Sequence, residues 1–430
     1  MNELKNSLDS KYMNINYIDL CSGIGGFRVA IEDFQNESSN INFNCVLSAD
    51  IKQDAIDTYN LNFNEHNEKC DIYSLEVEKV KPFDLLCAGF PCQPFSTAGQ
   101  RKGFSDDRGG MIFKIMELCK YHKPKYILLE NVYNLLTIDG GKCIQTIIQL
   151  FEELNYNVYY EKLNSKDFGC PQSRERVYII CTLNKCLDFD KLFTLSSKKV
   201  LRDVIDYNDK TSNIDANFIQ KLIKLAKNRE IQGCKISDKR GGDNNIHSWE
   251  LEYNGHITND EINLMNSIML ERRKKHWATK KNITWMDGMP LTYEDIQTFF
   301  KHDALREMLN NLVSKKYLRF EKCKDLINGK RVYKEDSESG YNICKGKLSF
   351  PISKILHPND ISPTLTATDS NKLAVIIDNQ VVRTLNTLEL IRICGFPDHY
   401  KIPEHVNSYD LFGNMATPPV IKELLKLLFN

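Results

Sequence analysis

Cys92 lies between two prolines in Phe90-Pro-Cys-Gln-Pro-Phe-Ser96, and a thiol framed in this way is a candidate nucleophile. Pro91 and Pro94 restrict the backbone on both sides of it. Most cysteines are better read as small buried hydrophobes, but that role needs no rigid frame. Glu130, in Glu130-Asn-Val132, is the second candidate. A carboxylate just beyond an apolar run is either a loop charge or an acid whose pKa is raised by burial, and beside Cys92 in one layer the acid is the better reading. Arg174 and Arg176, in Gln172-Ser-Arg-Glu-Arg176, put two guanidiniums at the start of a strand. The competing account for them is a surface ion-pair network with Glu175.

A second group of residues suits a ligand that carries a nucleoside. Gly23, Gly25 and Gly26 follow the apolar run Tyr17–Leu20 and allow close backbone approach, with a helix N-terminus after them. Their spacing is not the G-x-G-x-x-G of nicotinamide-binding folds. Asp50 ends the next apolar run, where an acid suits ribose hydroxyls, although it also fits a helix N-cap. Asp71-Ile72 is a third acidic–apolar pair.

These residues must be delivered by a sheet. Strands are expected at Tyr17–Leu20, Asn44–Ala49, Phe83–Ala88, Lys125–Leu129, Asn157–Leu163 and Arg176–Cys181, with helices near 51–60, 111–122 and 141–154. This alternation predicts an α/β, doubly wound sheet, which binds ligands at the carboxyl ends of its strands. Cys92 and Glu130 then share one edge. The segment 97–110, with four glycines, is long for a loop and is a candidate lid over that edge.

A chain of 430 residues implies two or more domains, and 42% hydrophobic with 27% charged residues is ordinary for a soluble protein. No apolar run is long enough to span a bilayer, and Met1–Lys11 resembles no export signal. The fourteen cysteines include no C-x-x-C pair, so reduced thiols in a cytoplasm and no metal site are expected. Net charge is zero but unevenly spread. Residues 183–350 hold 31 Lys+Arg against 24 Asp+Glu, and the remainder 26 against 33. Such asymmetry can mark a part that faces nucleic acid.

That middle stretch shows helical patterns at Asn217–Arg229, Asp260–Lys281 and Ala304–Ser314, a strand at Lys316–Phe320 and a hairpin turn at Asn328-Gly329. The order suggests a winged-helix arrangement. The second helix ends in the basic run Arg272-Arg273-Lys274-Lys275, followed by Trp277, a candidate phosphate-binding element.

The ordered set of motifs resembles the C5 cytosine DNA methyltransferases. The matching blocks are Asp19-Leu-Cys-Ser-Gly-Ile-Gly-Gly-Phe27, Gly89-Phe-Pro-Cys-Gln-Pro-Phe-Ser96, Glu130-Asn-Val132, Gln172-Ser-Arg-Glu-Arg-Val-Tyr178, Arg383–Tyr400 and Gly413-Asn414. The resemblance implies a catalytic, S-adenosylmethionine-binding domain over 1–182, completed by 351–430, and a smaller α+β target-recognition domain over 183–350. It implies that Cys92 attacks C6 of a flipped-out cytosine, that Glu130 holds N3 and the amine, and that Arg176, helped by Arg174, binds O2. S-adenosylmethionine would contact Cys21, Gly23, Ile24, Gly26, Asp50, Ile51, Asp71, Ile72, Gly89, Pro91, Met111, Asn414 and Ala416. Double-stranded DNA would meet Arg101, Lys102 and Arg108 in the lid, Arg272, Arg273, Lys274 and Lys275 in the basic run, and Thr364 at the return junction. Ile51 and Cys21 stand where the family often has aromatics, which predicts less ring contact with the cofactor. A monomer in the bacterial cytoplasm is implied, with any cognate restriction endonuclease acting separately. The competing functions are a tRNA-methylating member of the same fold and a silent DNA-binding relative. The large middle segment disfavours the first, and the presence of Cys92, Glu130 and Arg176 disfavours the second.

Overall fold

The computed structural model describes residues 13–38, 40–90, 110–192, 194, 199–286, 288–344 and 350–430. Packing divides the chain into two units, Met1–Asp206 with Pro358–Ser370 and Asn386–Asn430, and Tyr207–His357 with Asn371–Leu385. The division differs from a simple 183–350 insertion, because residues 371–385 belong to the second unit.

The first unit is built on a six-stranded sheet. Its strands are β1 (Met13–Leu20), β2 (Ile41–Ala49), β3 (Leu85–Gly89), β4 (Tyr126–Val132), β5 (Asn157–Asn164) and β6 (Glu175–Thr182), in the order β2-β1-β3-β4-β6-β5. The pairs β1/β2, β1/β3 and β3/β4 are parallel, whereas β6 runs antiparallel to both neighbours. Helices α1 (Gly26–Glu37), α2 (Gln53–Phe63), α3 (Met111–His122) and α4 (Lys142–Glu152) connect the strands.

Side-chain alternation explains why helices cover both faces. Ile18, Leu20, Leu86, Ala88, Ile127 and Leu129 point to one face, where Ile112 and Ile115 of α3 and Ile144 and Ile147 of α4 pack. Ile15, Tyr17, Leu85, Cys87 and Leu128 point to the other, against Phe27, Ile31 and Phe34 of α1. The closing helix, Pro418–Phe429, adds Ile421, Leu424, Leu425 and Leu428 to that second layer, and Lys422 Nζ pairs with Asp33 Oδ2 on α1 at 2.9 Å. Each fully buried Leu or Ile contributes about 1.5–3 kcal/mol, so both layers are needed to hold the strand ends in register. No described helix is long and apolar enough to cross a membrane.

The second unit is α+β. Its helices are Ala216–Ala226, Asn259–Glu271, Lys275–Lys280, Tyr293–Gln297 and Leu305–Ser314, and its core gathers Trp249, Leu264, Ile268, Trp277, Leu309 and Leu312. The expected single helix 260–281 is two helices. Its start has the sequence logic of a capping box, in which Thr258 Oγ1 accepts from Glu261 N and Glu261 Oε2 accepts from Thr258 N. The break lies between Glu271 and Lys275, where Lys274 takes an extended backbone, and the Arg272 side chain turns into the core. Asn328 and Gly329 both take positive φ, 51° and 75°, as a two-residue hairpin turn requires. Two antiparallel pairs nest about that turn: Lys324–Ile327 with Lys330–Tyr333, and outside them Leu318–Lys322 with Ser339–Ile343.

Candidate active site

The carboxyl ends of β1 to β4 border a cavity of about 590 Å³ in the first unit, a volume suited to one nucleoside-bearing ligand. Cys21, Gly23 and Ile24 line it after β1, Asp50 and Ile51 after β2, and Gly89 and Phe90 at the end of β3. Asp71, Ile72, Met111 and Asn414 complete that half, and Glu130, Arg174 and Arg176 line the other. Two expected cofactor residues do not face the cavity. Gly26 and Ala416 instead pack against each other, such that a Cβ on Gly26 would lie 2.2 Å from the Ala416 carbonyl oxygen. Their part is to hold the glycine turn down. Gly26→Ala is therefore expected to cost about 3 kcal/mol and to weaken cofactor binding, measured by urea unfolding and by calorimetry with S-adenosylmethionine.

The glycine turn is braced from β2. Gly23 and Gly25 take positive φ, 53° and 76°, as does Cys21 at 52°. Asp50 Oδ2 accepts from Gly23 N at 2.8 Å, and Oδ1 accepts from Lys52 N at 2.8 Å. Each carboxylate oxygen keeps a lone pair for a hydroxyl, so the brace and a ribose contact are compatible. Asp71 Oδ1 caps the short turn Ile72–Ser74 by accepting from Tyr73 N at 3.1 Å. Cys21 Sγ points at Met111 Sδ, and burial, with Asp50 and Asp19 nearby, pushes its thiol pKa up. A neutral thiol there offers apolar contact rather than nucleophilicity.

Glu130 is the cavity's buried acid. It sits directly across from Gly89 in the β3/β4 ladder, and Arg176 Nε on the adjacent antiparallel strand lies 3.1 Å from its Oε1. Burial raises the Glu130 pKa, Arg176 and Arg174 oppose that shift, and the net direction is upward. Such a group can donate a proton where an exposed glutamate would only accept.

Arg174 has a different place from the one expected. Its side chain is buried, Nη1 donates to the carbonyls of Leu365 and Gly413, and Nη2 donates to Met415 O at 2.6 Å. Burial, with Arg176 beside it, lowers its pKa to about 10, which leaves it charged at neutral pH. Its Nη atoms tie the return segment to β6, while its Nε makes no hydrogen bond among the described residues and the residue still lines the cavity with Arg176. The expected ion pair of Glu175 runs to Lys162, at 3.1 Å, rather than to either arginine.

Three residues were not singled out from the sequence. Tyr73 is a half-exposed ring on the cavity wall two positions after Asp71. Asn131 is buried and donates to Phe90 O at 3.0 Å, which fixes the chain where it leads into 91–92. Asp19 is fully buried beneath the glycine turn, and burial together with Asp50 raises its pKa. Only Asn131 and Asp19 had a signal, their places inside quoted motifs.

Cys92 and Pro91 lie outside the described residues, as do Arg101, Lys102 and Arg108. The described chain ends at Phe90 and resumes at Gly110, and Phe90 and Met111 both line the cavity. In the second unit, Arg272 is not a phosphate contact. It is fully buried, Nη1 donates to Asn342 Oδ1 at 2.6 Å, and Gly288 packs against its guanidinium. Trp277 is likewise core. Arg273 is half-buried, whereas Lys274 and Lys275 are exposed, the first paired with Glu271 and the second 5.6 Å over the Trp285 ring. In the first unit the Thr364 hydroxyl donates its hydrogen to Ser173 O at 2.6 Å, which leaves the backbone N–H as that residue's donor for a phosphate.

A doubly wound sheet with a braced glycine turn, ribose-suited acids and a buried acid–arginine pair suits an enzyme that binds a nucleoside-bearing cofactor beside a proton-donating group. The comparisons specify it further. Residues 15–430 match the C-5 cytosine-specific DNA methylase family, and the chain belongs to that family. It is a DNA cytosine-5 methyltransferase that uses S-adenosylmethionine. The Type II methyltransferase M.NlaIV of Neisseria lactamica is 41% identical, covering 97% of this chain and 99% of that protein. M.NgoBV of Neisseria gonorrhoeae, also a Type II methyltransferase, is 40% identical over the same shares. The crystal structure of S. pombe Dnmt2 matches the fold with a TM-score of 0.54 at 18% identity, covering 96% of this chain and 98% of that one.

Proposed function

We propose that the chain modifies cytosine in a specific duplex sequence through a covalent Cys92–C6 adduct, as the methylating half of a restriction–modification pair. The observation that carries the proposal is the pairing of buried Glu130 with Arg176 on the wall of the same cavity that the glycine turn and Asp50 border.

C5 of cytosine is a weak nucleophile. A thiolate adding at C6 pushes electron density toward C5, and negative charge grows at N3 and O2. Neutral Glu130 gives N3 a proton, and Arg176 faces the developing charge at O2. S-adenosylmethionine, held by the Gly23 turn, Asp50, Ile51, Asp71, Ile72 and Asn414, supplies the methyl group. A base, for which water would serve, then takes the C5 proton, and the C–H electron pair re-forms the C5–C6 double bond as the C6–S bond breaks and returns the Cys92 thiolate. The base must first leave the helix stack, at a cost of a few kcal/mol, and Arg101, Lys102 and Arg108 of the lid are suited to the flanking phosphates. Tyr73 offers the ring contact that Ile51 lacks. In the basic run of the second unit, Lys274 pairs with Glu271, and Lys275, with Arg273, is suited to a phosphate. The Type II names of the relatives support the restriction–modification role and a cytoplasmic setting, whereas a monomer beside a separate endonuclease rests on the family resemblance alone.

Incubation with tritiated S-adenosylmethionine and, separately, duplex DNA or tRNA tests the reading. Label is expected in duplex DNA alone and confined to one sequence context. Label in tRNA alone would contradict it.

A further inference from the structure

The hairpin of the second unit, Lys324–Ile327 with Lys330–Tyr333, differs from the rest of that unit in what it exposes. Leu326, Ile327, Val332 and Tyr333, together with Phe320 on the preceding strand, are all among the exposed large apolar side chains. Single exposed apolar residues are ordinary, but five within fourteen positions, four of them spread over both faces of one ribbon, exceed scattered exposure and suit a partner that takes the ribbon into a groove. Charge indicates which partner. Residues 324–334 carry Lys324, Lys330, Arg331 and Lys334 against Asp325 alone, and Asp325 Oδ1 already accepts from Thr284 N at 2.9 Å. Lys322, Lys274 and Lys281 nearby are each paired with an acid. Lys330 and Arg331 pair through their backbones in the hairpin, and among the described residues their side chains make no hydrogen bond or ion pair. A cationic ribbon with apolar side chains complements a polyanion whose groove floor carries hydrogen-bonding edges and methyl groups.

Register assigns the faces. Lys324 is opposite Tyr333 and Leu326 opposite Arg331, and directly opposed residues share a face. One face therefore carries Lys324, Leu326, Arg331 and Tyr333, and the acid at its edge, Glu321, accepts from the Tyr333 hydroxyl at 3.3 Å. The other carries Asp325, Ile327, Lys330 and Val332, and Asp325 ties its root to Thr284. Next to Thr284, Trp285 donates to Arg273 O and lies under Lys275, so the ribbon's root adjoins the basic run. The two-residue Asn328-Gly329 turn keeps the tip narrow, and a two-stranded ribbon fits the major groove.

We infer that the ribbon 324–333 enters the major groove of the target duplex, with Arg331 reading a guanine edge, Leu326 meeting the apolar floor and Lys330 meeting a phosphate. The inference rests on the DNA methyltransferase reading and deepens it by naming the element that selects sequence.

The test uses the full chain with unmethylated bacterial genomic DNA, reading methylated contexts by bisulfite sequencing and rates by tritium transfer. Arg331→Ala is expected to relax the context at one guanine and to raise KM for DNA roughly 10- to 100-fold, with the loss falling on KM more than on kcat. Arg331→Lys should restore much of the affinity without restoring the context, because a point charge lacks the bidentate fork. Lys330→Ala should weaken all contexts alike and reduce the slope of log affinity against log salt by about one. Unchanged S-adenosylmethionine affinity in each variant verifies folding. Wild-type context and KM in Arg331→Ala would overturn the ribbon assignment while leaving the methyltransferase reading intact. So would a wild-type dimer in sedimentation that Ile327→Asp breaks without altering DNA kinetics. Absence of any label in DNA from the wild type would remove the reading beneath it.

Discussion

Glu130→Gln is expected to lower kcat by roughly 10²- to 10⁴-fold while changing the affinity for S-adenosylmethionine by no more than about twofold. Glutamine keeps the shape of the side chain and offers an N–H to cytosine N3, but it cannot hand over a proton as charge develops. The magnitude is that of one positioned acid. The pH dependence separates this account from a merely structural one. Burial raises the Glu130 pKa against the opposing pull of Arg176 and Arg174, so the active, neutral form is lost as pH rises through the folded value. The wild-type kcat profile should show a basic limb from this group, and Glu130→Gln should lack it. Stability follows the same sign. An acid with a raised folded pKa contributes fully below the unfolded carboxyl value of about 4.3, and that contribution fades as pH rises through the folded pKa. Single-turnover rates across pH with saturating DNA would check the first, and urea unfolding across pH the second.

Cys92→Ala is expected to abolish methyl transfer, a loss of at least about 10⁴-fold, because C5 has no other route to nucleophilic character once addition at C6 is removed. Cofactor affinity should persist, since Gly23, Asp50, Asp71 and Met111 line a cavity on the described residues. Cys21, the described thiol on that cavity's wall, cannot substitute. Burial and two nearby carboxylates hold it neutral. Residual transfer in Cys92→Ala near the wild-type rate would reassign the nucleophile, and tritium incorporation into duplex DNA is the measurement.

Much of the first unit was legible because its signals are local. Apolar runs ending in glycine or an acid mark parallel strand ends, and the alternation of Ile18 and Leu20 against Tyr17 states which face each side chain takes. Cys21, Gly23 and Asp50 follow directly on their strands, Glu130 lies near the end of β4, and Asp71 joins them from the short turn Ile72–Ser74. The failures are nonlocal. Nothing in Gln172-Ser-Arg-Glu-Arg176 tells which arginine meets the carbonyls of a segment nearly two hundred residues later, yet that is where Arg174 is bound. Gly26 reads as a ligand-facing glycine until Ala416 is seen against it. Arg272 heads a run that looks solvated, and only the fold supplies Asn342 to receive it. Side-chain direction in a charged run depends on partners that the run itself does not contain.

The most direct test is trapping on a short duplex in which 5-fluorocytosine replaces the methylated cytosine. Fluorine cannot leave C5 as a proton does, so addition at C6 becomes permanent once the methyl group has been transferred. In the presence of S-adenosylmethionine, a denaturant-stable protein–DNA conjugate is expected, with peptide mapping placing the crosslink at Cys92 and no conjugate from Cys92→Ala. Efficient methylation of the ordinary duplex with no conjugate on the fluorinated one, or a conjugate mapped to another residue, would contradict the account.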